Sequence, residues 1–242
     1  MIGDNLPYSQ VGIEGVRTGG LLCVADHASN HVPPDIDLGI ETALLDEHIA
    51  VDIGVEGVAD RLSRRFGMPA HIACVSRLVC DMHRLESDPS VVPETSDGIL
   101  IPGNLGADVE SRLVRFHRPY HDALASLVER LQPRLIVALH SFTPRLATKI
   151  EDRPWQVSLL YNQDDRAARH AIRLFASQGL TVGDNQPYSG TKLNATMDRH
   201  AEAAGIAYCT LEIRQDQIDT RAGQARWAAL VADVMQRVAL EI

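Results

Sequence analysis

"LIVALHSFTP", residues 135–144, runs through five unbroken apolar residues and then stops on His140, Ser141 and Phe142. A short apolar run bounded by polar residues reads as a strand buried on both faces, the usual condition in a parallel sheet. "LLCVADHASN", residues 21–30, has the same design, an apolar run that delivers Asp26 and His27. Both histidines are therefore expected at one edge of a single sheet, placed to hold a metal.

Working outward, short apolar runs alternate with amphipathic stretches. Strands are predicted over 20–25, 71–76 ("HIACVS"), 134–140, 155–162 ("WQVSLLYN") and 206–214 ("IAYCTLEIR"). Helical spacing from Glu41 to Phe66 (Leu44, Leu45, Ile49, Ile53, Val58, Leu62) predicts one helix ending at Gly67. Further helices are predicted over 107–133, bent near Pro119, and over 164–179, 191–205 and about 220–240. Strands separated by helices need crossover connections. The expected fold is α/β, a single domain over residues 1–242 with a central, mostly parallel (mixed) sheet flanked by helices on both faces. Such sheets bind ligands outside the carboxyl ends of their strands. His27, the segment Ser76–Arg84, His140 and Glu212 should thus converge on one rim.

The 242 residues are 45% hydrophobic and 23% charged, ordinary for a soluble protein, and the formal net charge of −9 argues against a nucleic-acid partner. No apolar window is long enough to span a membrane, and the N-terminal stretch is polar, so the cytoplasm is expected. Cys23, Cys74, Cys80 and Cys209 form no CxxC pair and read as buried reduced thiols. A small acidic molecule is the expected partner; the sequence does not fix an oligomeric state.

Zinc and similar divalent metals take neutral imidazole, and catalytic sites use three protein ligands plus water. His27 and His140 fit that need, although two strand-end histidines bonded to nearby carbonyls would leave the same trace. Glu212, after a run of β-formers, could take a proton from water and return it to a leaving amine; the alternative is an ion pair with Arg214 on the same strand face. "SRLVCDMHR" (76–84) supplies Ser76, Arg77, Asp81, His83 and Arg84, and arginine's planar fork binds carboxylates bidentately. His48 and Asp52, four apart, read as a helical pair, as do His117 and His121, which straddle Pro119. "NQPYSG" (185–190) is a loop that could close over a substrate, and no dinucleotide fingerprint is present.

Seven stretches resemble the N-formylglutamate amidohydrolase family in the family's order: "DHASNHVP" (26–33), "HIAVDIGV" (48–55), "SRLVCDMHR" (76–84), "RFHRPYH" (115–121), "ALHSFTP" (138–144), "NQPYSG" (185–190) and "EIRQD" (212–216). The resemblance implies a zinc-exopeptidase-like (phosphorylase/hydrolase-like) fold of the zinc carboxypeptidase and aspartoacylase kind. It also implies metal-dependent hydrolysis of an N-acyl amino acid, such as N-formyl-L-glutamate to L-glutamate and formate in histidine degradation. His27 and His140 match the family group's two histidine ligands to Zn2+ or another divalent metal, and Glu212 its catalytic glutamate. Arg84 matches a carboxylate-gripping arginine, with His83, Arg77 and Arg214 in support, and Ser141 is placed to donate to an oxyanion. Where the carboxypeptidase pattern has a glutamate ligand, this chain has Asn30, so the third ligand is Asn30, another acid such as Asp52, or absent. The competing expectations are a non-catalytic binder of a small acid with a decayed metal site, and a hydrolase of a different N-acyl substrate.

Overall fold

Alternate residues of a strand face opposite sides of a sheet, so an unbroken apolar strand must be covered twice. The run from Leu135 to Leu139 obeys this: Leu135, Val137 and Leu139 enter one core, while Ile136 and Ala138 enter another. The structure, a computed structural model, describes residues 6–242. Its elements are β1 (Tyr8–Val11), β2 (Leu21–Ala25), α1 (Val55–Phe66), β3 (Ala70–Ala73), β4 (Thr95–Ser96), β5 (Ile99–Leu100), α2 (Val109–Arg112), α3 (Arg118–Leu131), β6 (Leu135–Phe142), β7 (Val157–Leu160), α4 (Arg166–Ser177), β8 (Val182–Asp184), α5 (Ala195–His200), β9 (Ala207–Arg214) and α6 (Arg221–Glu241).

Seven strands form one mixed sheet in the order β1-β3-β2-β6-β9-β7-β8, and β4 and β5 form a separate hairpin. The central strands β3, β2, β6 and β9 are parallel, β1 and β7 run antiparallel to their inner neighbours, and β8 is parallel to β7. The chain is thus an α/β domain with a mostly parallel sheet. One core packs α1, α4 and α6 on the sheet through Val58, Leu62, Phe175, Trp227 and Val231. The opposite core packs α3 and α5 through Tyr120, Leu124, Leu127 and Met197. Among the described residues no helix is long and apolar enough to cross a membrane, and all four cysteines are free thiols.

One expectation is corrected, and a second is refined. The helix predicted from Glu41 begins only at Val55; before it lie a 3-10 turn (Thr42–Asp46) and irregular chain. Gly54 ends the irregular stretch at φ +83°, a left-handed conformation through which no right-handed helix runs, and a Cβ there would lie 2.1 Å from the Ile218 carbonyl oxygen, so the position takes only glycine. The Asp52 N–H donates to the His27 carbonyl at 2.9 Å, which ties this loop to the sheet rim instead. His48 and Asp52 consequently share no helix face. The 107–133 prediction resolves into α2, a π-type turn over Leu113–His117, and α3 with Pro119 at its start. Proline lacks the N–H of a regular turn, and the wider turn just before it accommodates the loss. The short strands β1 and β8 and the β4–β5 hairpin were not anticipated.

Candidate active site

β2 ends just before Asp26 and His27. β6 carries His140 in register with Glu212 of the parallel neighbour β9, so the two side chains emerge side by side. Asp52 arrives from the loop before α1, and Asp81, His83 and Arg84 from the segment after β3. That segment is anchored at its backbone. Ser76 Oγ donates to the Ala50 carbonyl at 2.8 Å, Asn104 Nδ2 to the Leu78 carbonyl at 2.8 Å, His121 Nε2 to the Met82 carbonyl at 3.0 Å and His117 Nε2 to the Arg84 carbonyl at 2.9 Å. Of these residues His27, Asp52, His83, Arg84, His140 and Glu212 line a cavity of about 330 Å³, together with His48, Asp97, Thr148, Tyr188 and Leu193.

His27 Nε2 donates to Asp81 Oδ1 at 2.7 Å, and its Nδ1 lies 3.4 Å from Asp52 Oδ2. His140 Nδ1 lies 3.0 Å from the same Asp52 oxygen, and its Nε2 lies 3.6 Å from Asp26 Oδ2. Asp26 accepts from Tyr120 at 2.6 Å and from His83 Nδ1 at 2.9 Å. Arg77 bridges two of the carboxylates, donating to Asp52 Oδ1 at 3.2 Å and to Asp81 Oδ2 at 3.1 Å.

Burial alone would neutralise these acids, but the surrounding cations outweigh it. Asp52 is held far below the usual carboxylate range, burial opposing and His27, His140 and Arg77 prevailing. Asp81 is lowered likewise by His27 and Arg77, and Asp26 by its bonds to His140 and His83. Burial disfavours the His140 imidazolium, yet Asp26 and Asp52 win and push it up to about 10. Glu212 behaves in the opposite way: burial, reinforced by Asp52 and opposed by His140, raises it to about 7.

Ligand atoms of His27, Asp52 and His140 all lie within 4.8 Å of one another, and so do those of Asp26, His83 and His140. The first set fits a divalent metal better. Two imidazoles and a carboxylate beside a glutamate match a catalytic zinc donor set, and the Asp81–His27 bond orients a ligand as metal sites require. His27 Nδ1, His140 Nε2 and Glu212 Oε2 are moreover buried without a hydrogen-bond partner. In the second set both ring nitrogens of His83 are already engaged, Nδ1 by Asp26 and Thr196 and Nε2 by the Leu193 carbonyl.

The sequence-derived residues divide as follows. His27, His140, Glu212, Arg77, His83, Arg84 and Ser141 all line the cavity. Asn30 does not: its amide donates to Asp46 at 2.8 Å on the surface, and Asp52 occupies the place beside the two histidines. The Ser141 hydroxyl is bonded to the Ile53 carbonyl at 3.0 Å, so its proton is committed away from an oxyanion. Arg214 lies outside the cavity and chelates Asp216 rather than Glu212. His83 is tied to Asp26 and Thr196, with its Nε2 on the Leu193 carbonyl, a positioning arrangement more than a substrate contact. Sequence reasoning left Asp81 without a role and overlooked Tyr120, Asp97 and Thr196. Tyr120 stood within "RFHRPYH", the one signal available for it.

Residues 19–218 match the model of a protein family described as N-formylglutamate amidohydrolase. The crystal structure of a gene product from Agrobacterium tumefaciens superposes with a TM-score of 0.90 at 28% identity, covering 96% of this chain and 94% of that one. The crystal structure of an N-formylglutamate amidohydrolase from Ralstonia eutropha JMP134 shares the fold, with a TM-score of 0.68 at 20% identity and 97% of each chain covered. No curated protein matches the sequence.

Proposed function

The chain belongs to the N-formylglutamate amidohydrolase family, and from that premise we propose that it is a metal-dependent hydrolase cleaving the amide of an N-acyl amino acid, with N-formyl-L-glutamate as the reference substrate. The observation that carries this reading is the convergence of His27, Asp52 and His140 beside Glu212, with buried nitrogens that have no protein partner. These three residues would hold the ion, and the donor set favours zinc. Bound there, the metal supplies a Lewis acid that polarises the amide carbonyl and acidifies water.

The chain's own groups do the rest. Glu212, with its acidity near neutrality, accepts a proton as water adds to the carbonyl carbon, and returns it to the nitrogen as the C–N bond breaks. Asp81 holds the His27 tautomer, Arg77 locks Asp52 and Asp81 in place, and Arg84 receives a substrate carboxylate. Holding the amide against the base in this way contributes to rate through orientation.

The test is formate release from N-formyl-L-glutamate and related N-formyl amino acids by zinc-loaded protein. Glu212→Gln is expected to retain its zinc and lose about 10²–10⁴-fold in kcat, the range for a positioned acid–base group. An unchanged kcat at equal metal content would remove Glu212 from the chemistry.

A further inference from the structure

An N-formylglutamate carries two carboxylates, and a site that prefers it needs a cation for each. The cavity lining contains two arginines, Arg77 and Arg84. Arg77 is already paired twice, with Asp52 and Asp81. Arg84 differs: its Nε donates to Ser90 Oγ at 3.0 Å and its Nη1 to the His83 carbonyl at 3.1 Å, both neutral acceptors. Among the described residues it forms no ion pair, so it is the one lining arginine with its charge uncompensated.

Away from Arg77 and the histidines of the metal-binding cluster, the lining side chains carry either no charge or negative charge. Asp97 takes bonds from His48 Nε2 and from the Ala147 and Thr148 amides, at 3.0, 2.8 and 3.1 Å. These contacts hold it ionised, at about 2 against burial. Any charge on His48 is therefore already paired. Asp97 also fixes Thr148, and Ser96, Leu146 and Thr148 add uncharged surface beside it. A second carboxylate placed against this wall would meet Asp97 and find no free cation among the lining side chains outside the metal-binding cluster, and like charges at such range cost affinity.

We propose, on the reading that this site hydrolyses N-acyl amino acids, that it selects substrates with a single carboxylate, held by Arg84, and an uncharged side chain. The substrate class is then the N-acyl derivatives of neutral amino acids rather than of glutamate or aspartate.

N-formyl-L-glutamine and N-formyl-L-glutamate are near-isosteric and differ by one charge, so their kcat/KM ratio on the zinc-loaded full chain reads the proposal directly. The glutamine derivative is expected to be preferred by about tenfold or more. Ser96→Lys, which brings a cation to the neutral wall, is expected to narrow or reverse that ratio. Equal rates, or a preference for the glutamate derivative, would overturn the proposal while leaving the hydrolase intact. If zinc-loaded protein hydrolyses neither, the hydrolase reading fails, and calorimetric binding of the two compounds decides the selectivity. Tighter binding of the glutamine derivative upholds it; equal binding, or none, overturns it.

Discussion

Two groups of buried histidines behave in opposite ways. At the rim, His27, His83 and His140 stand with ring centroids 4.8–5.8 Å apart and face Asp26, Asp52 and Asp81. Behind them, His117, His121 and His200 are equally close, at 4.3 and 5.1 Å, but face backbone carbonyls and one another. Burial pushes His121 down to about 2 and His200 to about 4, with neighbouring cationic groups adding to the fall, while carboxylates carry His140 up to about 10. The partner, more than the burial, decides the charge. The rim histidines belong to a carboxylate network suited to a cation. The rear histidines are neutral donors: His200 Nε2 donates to His121 Nδ1 at 2.9 Å, and His121 Nε2 to the Met82 carbonyl, which steadies the segment bearing Asp81 and Arg84.

Substitutions can break this contrast from either side. The largest effect is expected at the rim. Asp81→Asn replaces the carboxylate that holds the His27 tautomer with a neutral amide, and zinc affinity, measured by competition with a chelator, should fall about 10–100-fold. Wild-type affinity would mean that His27 needs no such partner. In the rear group, His121→Phe leaves His200 Nε2 unpaired and the Met82 carbonyl with only the 3.3 Å bond from Thr196. Stability in urea melts should fall by about 1–3 kcal/mol, with little loss of zinc. A loss of zinc comparable to that in Asp81→Asn would show that the two groups are not separable.

A pH dependence, spread over more than two pH units, follows as well. His71, lowered to about 4 by burial, and His200, lowered to about 4 by burial and Arg199, take up protons near pH 6.5 only when unfolded. The unfolded state then binds more protons between pH 6.5 and 4. The stabilisation is therefore complete above 6.5 and declines as pH falls toward 4, by up to about 1.4 kcal/mol per unit for each group. His200→Phe should flatten that slope in thermal melts. A slope unchanged by the substitution would place the acid sensitivity elsewhere.

The central sheet could be read from the sequence because its strands are apolar without interruption, and the end of each run marked where a functional side chain leaves the sheet. His27, His140 and Glu212 follow from that rule alone. Asp52 was harder to place: the apolar spacing through Ile49 and Ile53 mimics a helix, and only the close approach of Gly54 to Ile218 shows that the chain must turn there. β1 and β8 were missed because they are edge strands of four and three residues with polar members. Asp97 was missed because its role comes from three segments far apart in sequence, which no local pattern encodes.

The most direct measurement is the zinc stoichiometry of the protein and of Asp52→Ala after saturation and desalting, read by elemental analysis. One equivalent in the wild type, lost in Asp52→Ala with the fold retained by circular dichroism, is the expected result. A full equivalent in Asp52→Ala, or none in the wild type, would contradict a metal held by His27, Asp52 and His140.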